Sequence, residues 1–479
     1  SEGIAIAYGN IFVDENISER VGGEKNYHPN KDGRSRKYNA VYVIQDGKPV
    51  KRLHETKILP EGIQPKTLFP NYRIFDDERY FFSLQDVAKD FNVPLENLLS
   101  PFLINIDGKD VPIGFEICED LWCEDYRKDL HALNPTKMLI DNNAKYIVNV
   151  SASPWTYGKN SARDHRIQFL KKDSGENFVP FFYVNCVGVQ NNGKNIVTFD
   201  GGSTVYNKNG SPVIFSKNAY EQELILVNES DLEKKVLVRK EKQKIEQKFE
   251  AIIRGLRSVK EMVGREEDPR FAIGLSGGID SSVVASLLTC AFGSGKILGI
   301  NMPTQYNSEK TKNSAKILAQ KLGIGYEIIP VEEISELNKK LIDSIDPDGN
   351  GRKLSEANYE NVQAKIRGAA ILSNVAAKYN ALFTNNGNKL EVALGYATLY
   401  GDWGGAIAPI GDLTKTEVVE MAKFLNEKIF KEEIIPEILF PDELWRFSKE
   451  KIIPSAELKN AQIDPMKFGY HCALIEAIT

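Results

Sequence analysis

The sequence predicts two successive domains of the α/β class, on three observations. A strand-like run, Arg270-Phe-Ala-Ile-Gly-Leu, passes through Ser276-Gly277-Gly278 into a helix-like segment from Ser282. Beyond it strands and long helices alternate, the order that builds a parallel sheet with its loop at the carboxyl end of the first strand. Ahead of it lie short strands separated by loops, and a charged stretch at 229–244 ends them. An amphipathic helix follows, with Phe249, Ile252, Ile253 and Leu256 at helical spacing.

In the first half the patterning predicts strands over 3–8, 39–44, 111–117, 146–150, 181–185, 203–206 and 223–227. Helices are predicted over 84–91 and 162–172. In the second half strands are predicted over 271–275, 297–301, 326–331 and 381–384, with helices over 281–290, 308–321 and 361–379. The turn-rich Asp346-Pro-Asp-Gly-Asn-Gly reads as a loop, since its spacing fails the EF-hand pattern. The expected domains are therefore 1–228 and 245–479, joined by a linker over 229–244.

Composition excludes several classes. The chain has 479 residues, 42% hydrophobic and 27% charged, which suits folded domains rather than disorder. A net charge of −5 over that length provides no basic field, so nucleic acid is not an expected partner. No apolar run approaches membrane-spanning length, and no membrane partner is expected. Five widely spaced cysteines without a Cys-x-x-Cys pair suit reduced thiols and a cytoplasmic location.

The stretch 274–282 carries the chemistry. Adjacent glycines let successive N–H groups converge on an anion, and the helix N-terminus adds donors and a positive dipole end. Ser276, Ser281 and Ser282 bring hydroxyls there, and Asp280 offers a carboxylate to a divalent cation. A bare Gly-Gly turn capped by Asp is the alternative. The order departs from the ordinary P-loop, because no Lys closes it. It resembles the pyrophosphate loop of the ATP pyrophosphatases, which adenylate a substrate and release pyrophosphate.

Further segments narrow the resemblance: Asn361-Val-Gln363-Ala-Lys365-Ile-Arg367, Gly387-Asn388-Lys389-Leu-Glu391, Gly401-Asp402, Asp412-Leu-Thr-Lys415 and Pro454-Ser455-Ala456-Glu457-Leu458. In this order they resemble the synthetase domain of the NAD synthetases. That resemblance implies an adenine-nucleotide α-hydrolase-like domain in which Ser276, Gly277, Gly278, Asp280, Ser281, Ser282, Lys415 and Ser455 hold ATP. It further implies Mg²⁺ on Asp280 and Glu391, and deamido-NAD on Arg367 and Asp402, with Lys365 a weaker candidate. Where relatives have Gly-Thr, this chain has Asn385-Asn386, and Asn386 is expected to donate to a phosphate instead.

Cys118 ends an apolar strand in Gly114-Phe-Glu-Ile-Cys118-Glu119-Asp120-Leu-Trp122. Such a cysteine is either core or an exposed nucleophile, and two adjacent carboxylates oppose its thiolate unless a cation lies nearby. Lys66-Thr-Leu-Phe-Pro-Asn-Tyr72, the Cys118 segment, and Asn149-Val-Ser151-Ala-Ser153-Pro with Lys159 and Arg163 resemble a nitrilase-type amidase. The implied fold is an αββα sandwich and the implied chemistry a Cys-Glu-Lys triad that hydrolyses glutamine through a thioester. Cys118 is the implied nucleophile and Lys66 the oxyanion stabiliser, with Lys57 a lesser substitute. Tyr72, Ser151 and Arg163 are implied to hold glutamine.

The resemblance begins partway into the amidase domain and stops short of the usual C-terminal tail. The family's general-base Glu precedes the strand that matches 3–8, so the chain as given is expected not to hydrolyse glutamine. The combined expectation is a glutamine-dependent NAD synthetase: ATP-dependent amidation of deamido-NAD, with glutamine or ammonia as nitrogen source, in a homo-oligomer. Two alternatives remain: a different acceptor, as in GMP or asparagine synthetases, or a non-catalytic first domain beside an ammonia-dependent second.

Overall fold

A computed structural model of the chain describes residues 3–22, 34–128, 131–191, 195–459 and 462–478. The chain forms two compact units, Ser1–Glu241 and Lys242–Thr479. Among the described residues no helix is long and apolar enough to cross a membrane, and all five cysteines are free thiols.

The first unit contains two larger sheets. In one, Ala5–Asp14, Arg36–Gln45 and Lys48–Pro49 pair in that order, with Ile63–Pro65 also on Arg36–Gln45. In the other, Lys109–Ile117, Tyr146–Ser151 and Phe181–Asn185 run parallel. Phe102–Ile106 flanks them antiparallel at one side, and Thr204–Tyr206 then Pro212–Phe215 at the other. Residues along Tyr146–Ser151 alternate between more and less buried, as period-two side chains must. One set of faces closes on Val41, Val43, Phe102, Phe115 and Ile117. Ile147 instead joins the cluster holding Leu139, Ile167 and Leu170 from helices Pro135–Asp141 and Lys159–Ser174.

The strand expected over 223–227 does not form. Leu224 and Leu226 are 84% and 78% exposed, and with no neighbouring strand to complete a ladder, β-propensity alone does not hold the segment extended in a sheet.

The second unit is built on a four-stranded parallel sheet, ordered Gly325–Ile328, Ile297–Asn301, Arg270–Gly274, Ala381–Phe383. Phe271, Ala272 and Ile273 are fully buried, as are Val283, Val284, Leu287 and Leu288 of helix Ile279–Phe292. The amphipathic helix Lys244–Arg257 packs on Ile279–Phe292 and on Lys415–Phe424, and Lys244 and Lys248 pair with Glu417 at 2.8 and 2.5 Å. The helix expected over 361–379 is not uniform. It runs as Glu356–Lys365, a wide π turn at Ile366–Leu372, then Ser373–Lys378. Gly368 explains the position of that turn: a Cβ there would overlap the Gly401 carbonyl, so helix and Gly401-Asp402 turn meet backbone to backbone.

Candidate functional sites

In the first unit, Cys118 leaves strand Lys109–Ile117 with φ 44, a left-handed conformation that a non-glycine residue holds only when its surroundings enforce it. The enforcing group is Asp120. Its carboxylate accepts from Ile117 N at 3.0 Å, Leu68 N at 2.7 Å and Thr67 N at 3.1 Å, which fastens the Lys66 segment to the turn that presents the thiol. Burial pushes the Asp120 carboxyl up to about 7 despite those donors.

Burial also raises the Cys118 thiol. Lys66 and Lys159 oppose that rise, and these are the cations its neighbouring carboxylates made necessary. Lys66 is 3% exposed and donates to Asp77 at 2.7 Å; burial disfavours its charge, but Cys118 and Asp77 outweigh that and hold its pKa above the ordinary value. Lys159 donates to Pro154 O at 2.7 Å. Lys57 is exposed. Ser151 donates to Asn149 Oδ1 at 2.6 Å, and its hydroxyl is a smaller influence lowering the Cys118 thiol against burial. The Tyr72 hydroxyl reaches Glu119 at 3.2 Å, and Tyr126 reaches the same carboxylate at 2.9 Å.

Arg163 is buried, as Lys66 and Ser151 are. It stands over the Tyr183 ring and donates to Asn160 Oδ1, Gly202 O, Thr204 and Tyr206. Its guanidinium therefore fastens the 202–206 segment. The structure thus brings Cys118, Lys66, Ser151, Tyr72 and Lys159 together and gives Arg163 a supporting place.

In the second unit, Gly277 adopts φ 88, and a Cβ on it would overlap the Thr311 carbonyl. Only glycine fits, and the loop backbone lies directly on the first turn of helix Glu309–Leu322. The serine hydroxyls serve the loop itself: Ser281 and Ser282 donate to Gly278 O at 3.1 and 2.8 Å, and Ser276 Oγ accepts from Gly278 N at 3.2 Å. They stiffen the turn whose N–H groups head helix Ile279–Phe292.

Asp280 is the centre of an ionic cluster. One of its oxygens takes Lys415, and the other accepts from Asn388 Nδ2 at 3.0 Å. Asn388 caps helix Lys389–Leu394 in a reciprocal box with Glu391, which fixes that carboxylate beside Asp280. Burial and then Asp280 raise the Glu391 carboxyl. Lys415 is 3% exposed, and Asp280 and Glu391 hold its charge in place against burial. Among the described residues no three His, Cys, Asp or Glu side chains form a ready cage. Two carboxylates next to the Gly277-Gly278 loop still suit Mg²⁺, which ordinarily takes one or two carboxylates plus phosphate oxygens.

Ser455 Oγ accepts from Glu457 N at 3.1 Å, which leaves its proton free to donate. Burial raises the Asp464 carboxyl, which also feels Lys415 and Asp280, so the late segment lies by the Asp280 cluster. Arg367 and Asp402 also face one another. Arg367 donates to Met302 O at 3.0 Å while a buried terminal nitrogen is left without a partner, and burial lowers its pKa to about 10. Asp402 accepts from Thr398 N at 2.8 Å, and burial raises its carboxyl. Lys365 is exposed. Asn386 has a structural tie as well: one N–H of its amide donates to Gly274 O at 2.9 Å and joins two strand ends.

Sequence reasoning gave no role to Asp77, Tyr126, Asn388, Asp464 or Thr311, and none but opposition to the thiolate to Asp120. Asn388 alone left a readable signal, its capping-box spacing to Glu391.

Comparison with known proteins adds the family context. Residues 252–478 match the NAD synthase family. A glutamine-dependent NAD(+) synthetase from Synechocystis sp. is 33% identical over 440 residues, covering 91% of this chain and 69% of that protein. One from Aquifex aeolicus is 32% identical over 463 residues, covering 89% and 70%. A solved glutamine-dependent NAD+ synthetase from Acinetobacter baumannii, in complex with ADP, shares the fold. Its TM-score is 0.69 at 24% identity, covering 96% of this chain and 72% of that one. One from Cytophaga hutchinsonii gives 0.62 at 20% identity, covering 91% and 72%.

Proposed function

The chain belongs to the glutamine-dependent NAD(+) synthetase family, and on that premise we propose the following division of labour. The protein is a ligase that amidates deamido-NAD to NAD with ATP, drawing ammonia from glutamine. Residues 1–228 are the glutamine amidase, 229–244 the linker and 245–479 the synthetase, working as a homo-oligomer in the cytoplasm.

The observation that carries the reading is the cluster of Asp280, Lys415, Asn388 and Glu391 at the mouth of the Gly277-Gly278 loop. A carboxylate oxygen of deamido-NAD displaces pyrophosphate from the α-phosphate of ATP. Ammonia then displaces AMP from the acyl carbon and loses a proton. The loop N–H groups, Lys415 and Ser455 meet the phosphate oxygens, where fixed donors stabilise charge without covalent catalysis. Asp280 and Glu391 would hold Mg²⁺, which supplies charge against the departing pyrophosphate. Arg367 and Asp402 hold deamido-NAD.

Where the amidase carries its general-base Glu, that carboxylate takes the Cys118 proton as the sulfur attacks the glutamine carboxamide and gives it to the departing nitrogen, so ammonia leaves; water then releases glutamate from the thioester. Lys66 stabilises the oxyanion, Ser151 and Tyr72 hold the substrate, and Arg163 keeps the 202–206 segment in place. The test is product formation from deamido-NAD, MgATP and either ammonium or glutamine. NAD together with AMP supports the reading. Conversion of xanthosine monophosphate or aspartate in place of deamido-NAD would replace it with another acceptor.

A further inference from the structure

Glu457 is held more firmly than its place on a late loop requires. Its backbone is left-handed at φ 47, a strained state for a residue with a side chain. Its carboxylate accepts from Asn307 Nδ2 at 2.8 Å, Thr311 Oγ1 at 3.0 Å and Ser308 N at 3.4 Å. The next residue is fixed too: Leu458 O accepts from Gln363 Nε2 at 2.9 Å. Thr311 is the residue whose carbonyl lies against Gly277, and Glu457 N donates to Ser455 Oγ. One side chain therefore joins the phosphate loop's supporting helix to the segment that presents Ser455. It is also among the charges facing Arg367.

We propose that Glu457 is a positioning residue that latches the Ser455 segment onto Thr311, setting the loop and Ser455 at the spacing a triphosphate needs. The proposal rests on the ATP-binding role given above to 276–282 and Ser455. It assigns Glu457 no contact with the reacting atoms. Its effect passes through Thr311 and Ser455, so the energies of Glu457 and Thr311 are coupled.

Calorimetric binding of MgATP to the full chain tests it. Glu457→Ala and Thr311→Val are each expected to weaken binding about tenfold, with the double variant no weaker than the worse single. Glu457→Gln keeps the shape, folds if Glu457→Ala does not, and is expected to weaken binding about threefold through loss of charge. The steady-state ATP KM rises in parallel while kcat holds, a split that general loss of structure would not produce. Affinity unchanged in Glu457→Gln, or losses that add in the double variant, would overturn the latch. NAD formation by the unaltered chain is a separate reading. If the variants weaken MgATP binding and no NAD forms, the acceptor is wrong and the latch stands; if the unaltered chain does not bind MgATP, both fall.

Discussion

Lys66 Nζ lies 2.7 Å from Asp77 Oδ2, so the lysine beside Cys118 divides its charge between a thiol and a carboxylate. Lys66 lowers the thiol pKa, and Asp77 dilutes that effect. Lys66→Met should therefore move the pH midpoint of Cys118 alkylation up, and Asp77→Asn should move it down. Mass-spectrometric alkylation rates from pH 6 to 10 check both signs.

Gly277→Ala places a methyl group on the Thr311 carbonyl in a backbone conformation that disfavours side chains. The loop must shift, at about 2 kcal/mol or more, and MgATP binding should fall at least tenfold. A titration of the variant, with its circular dichroism compared to the parent, checks this.

Arg367 and Asp402 converge because Gly368 and Gly401 pack backbone to backbone. Arg367→Lys keeps a charge but loses the planar fork, so the deamido-NAD KM should rise about tenfold or more while the ATP KM stays within about twofold. Gly368→Ala should reproduce the deamido-NAD defect without touching either group.

Glu116 is 1% exposed, and burial raises its carboxyl to about 8 despite donors from Asn149 and Thr136. An unfolded carboxyl titrates near 4.5, so the folded unit binds this proton more tightly. That stabilisation is complete below about pH 4.5 and is lost as pH rises through about 8, a span of a few kcal/mol. Melting of the first unit should therefore fall across that window, and Glu116→Gln should flatten the slope.

Much of this architecture is legible in the residues. Strand Arg270–Gly274, the glycine loop and helix Ile279–Phe292 follow from an apolar run, two glycines and a helical stretch, because these are local preferences. The links between distant segments are not local. Asp120 gripping Thr67 and Leu68, Asp77 pairing with Lys66, and Glu457 reaching Asn307 depend on tertiary approach that no spacing encodes. The tie from the Asn386 amide to Gly274 O, at a second strand end, is likewise a tertiary contact. The 223–227 segment has strand composition but no edge to pair with.

The most direct test follows one oxygen atom. Deamido-NAD labelled with ¹⁸O in its carboxylate is incubated with MgATP, ammonium and the unaltered chain, and the products are weighed by mass spectrometry. The account predicts NAD, with one labelled oxygen carried into AMP for each amide formed. ADP with labelled inorganic phosphate, or no NAD from a chain that binds MgATP, would contradict it.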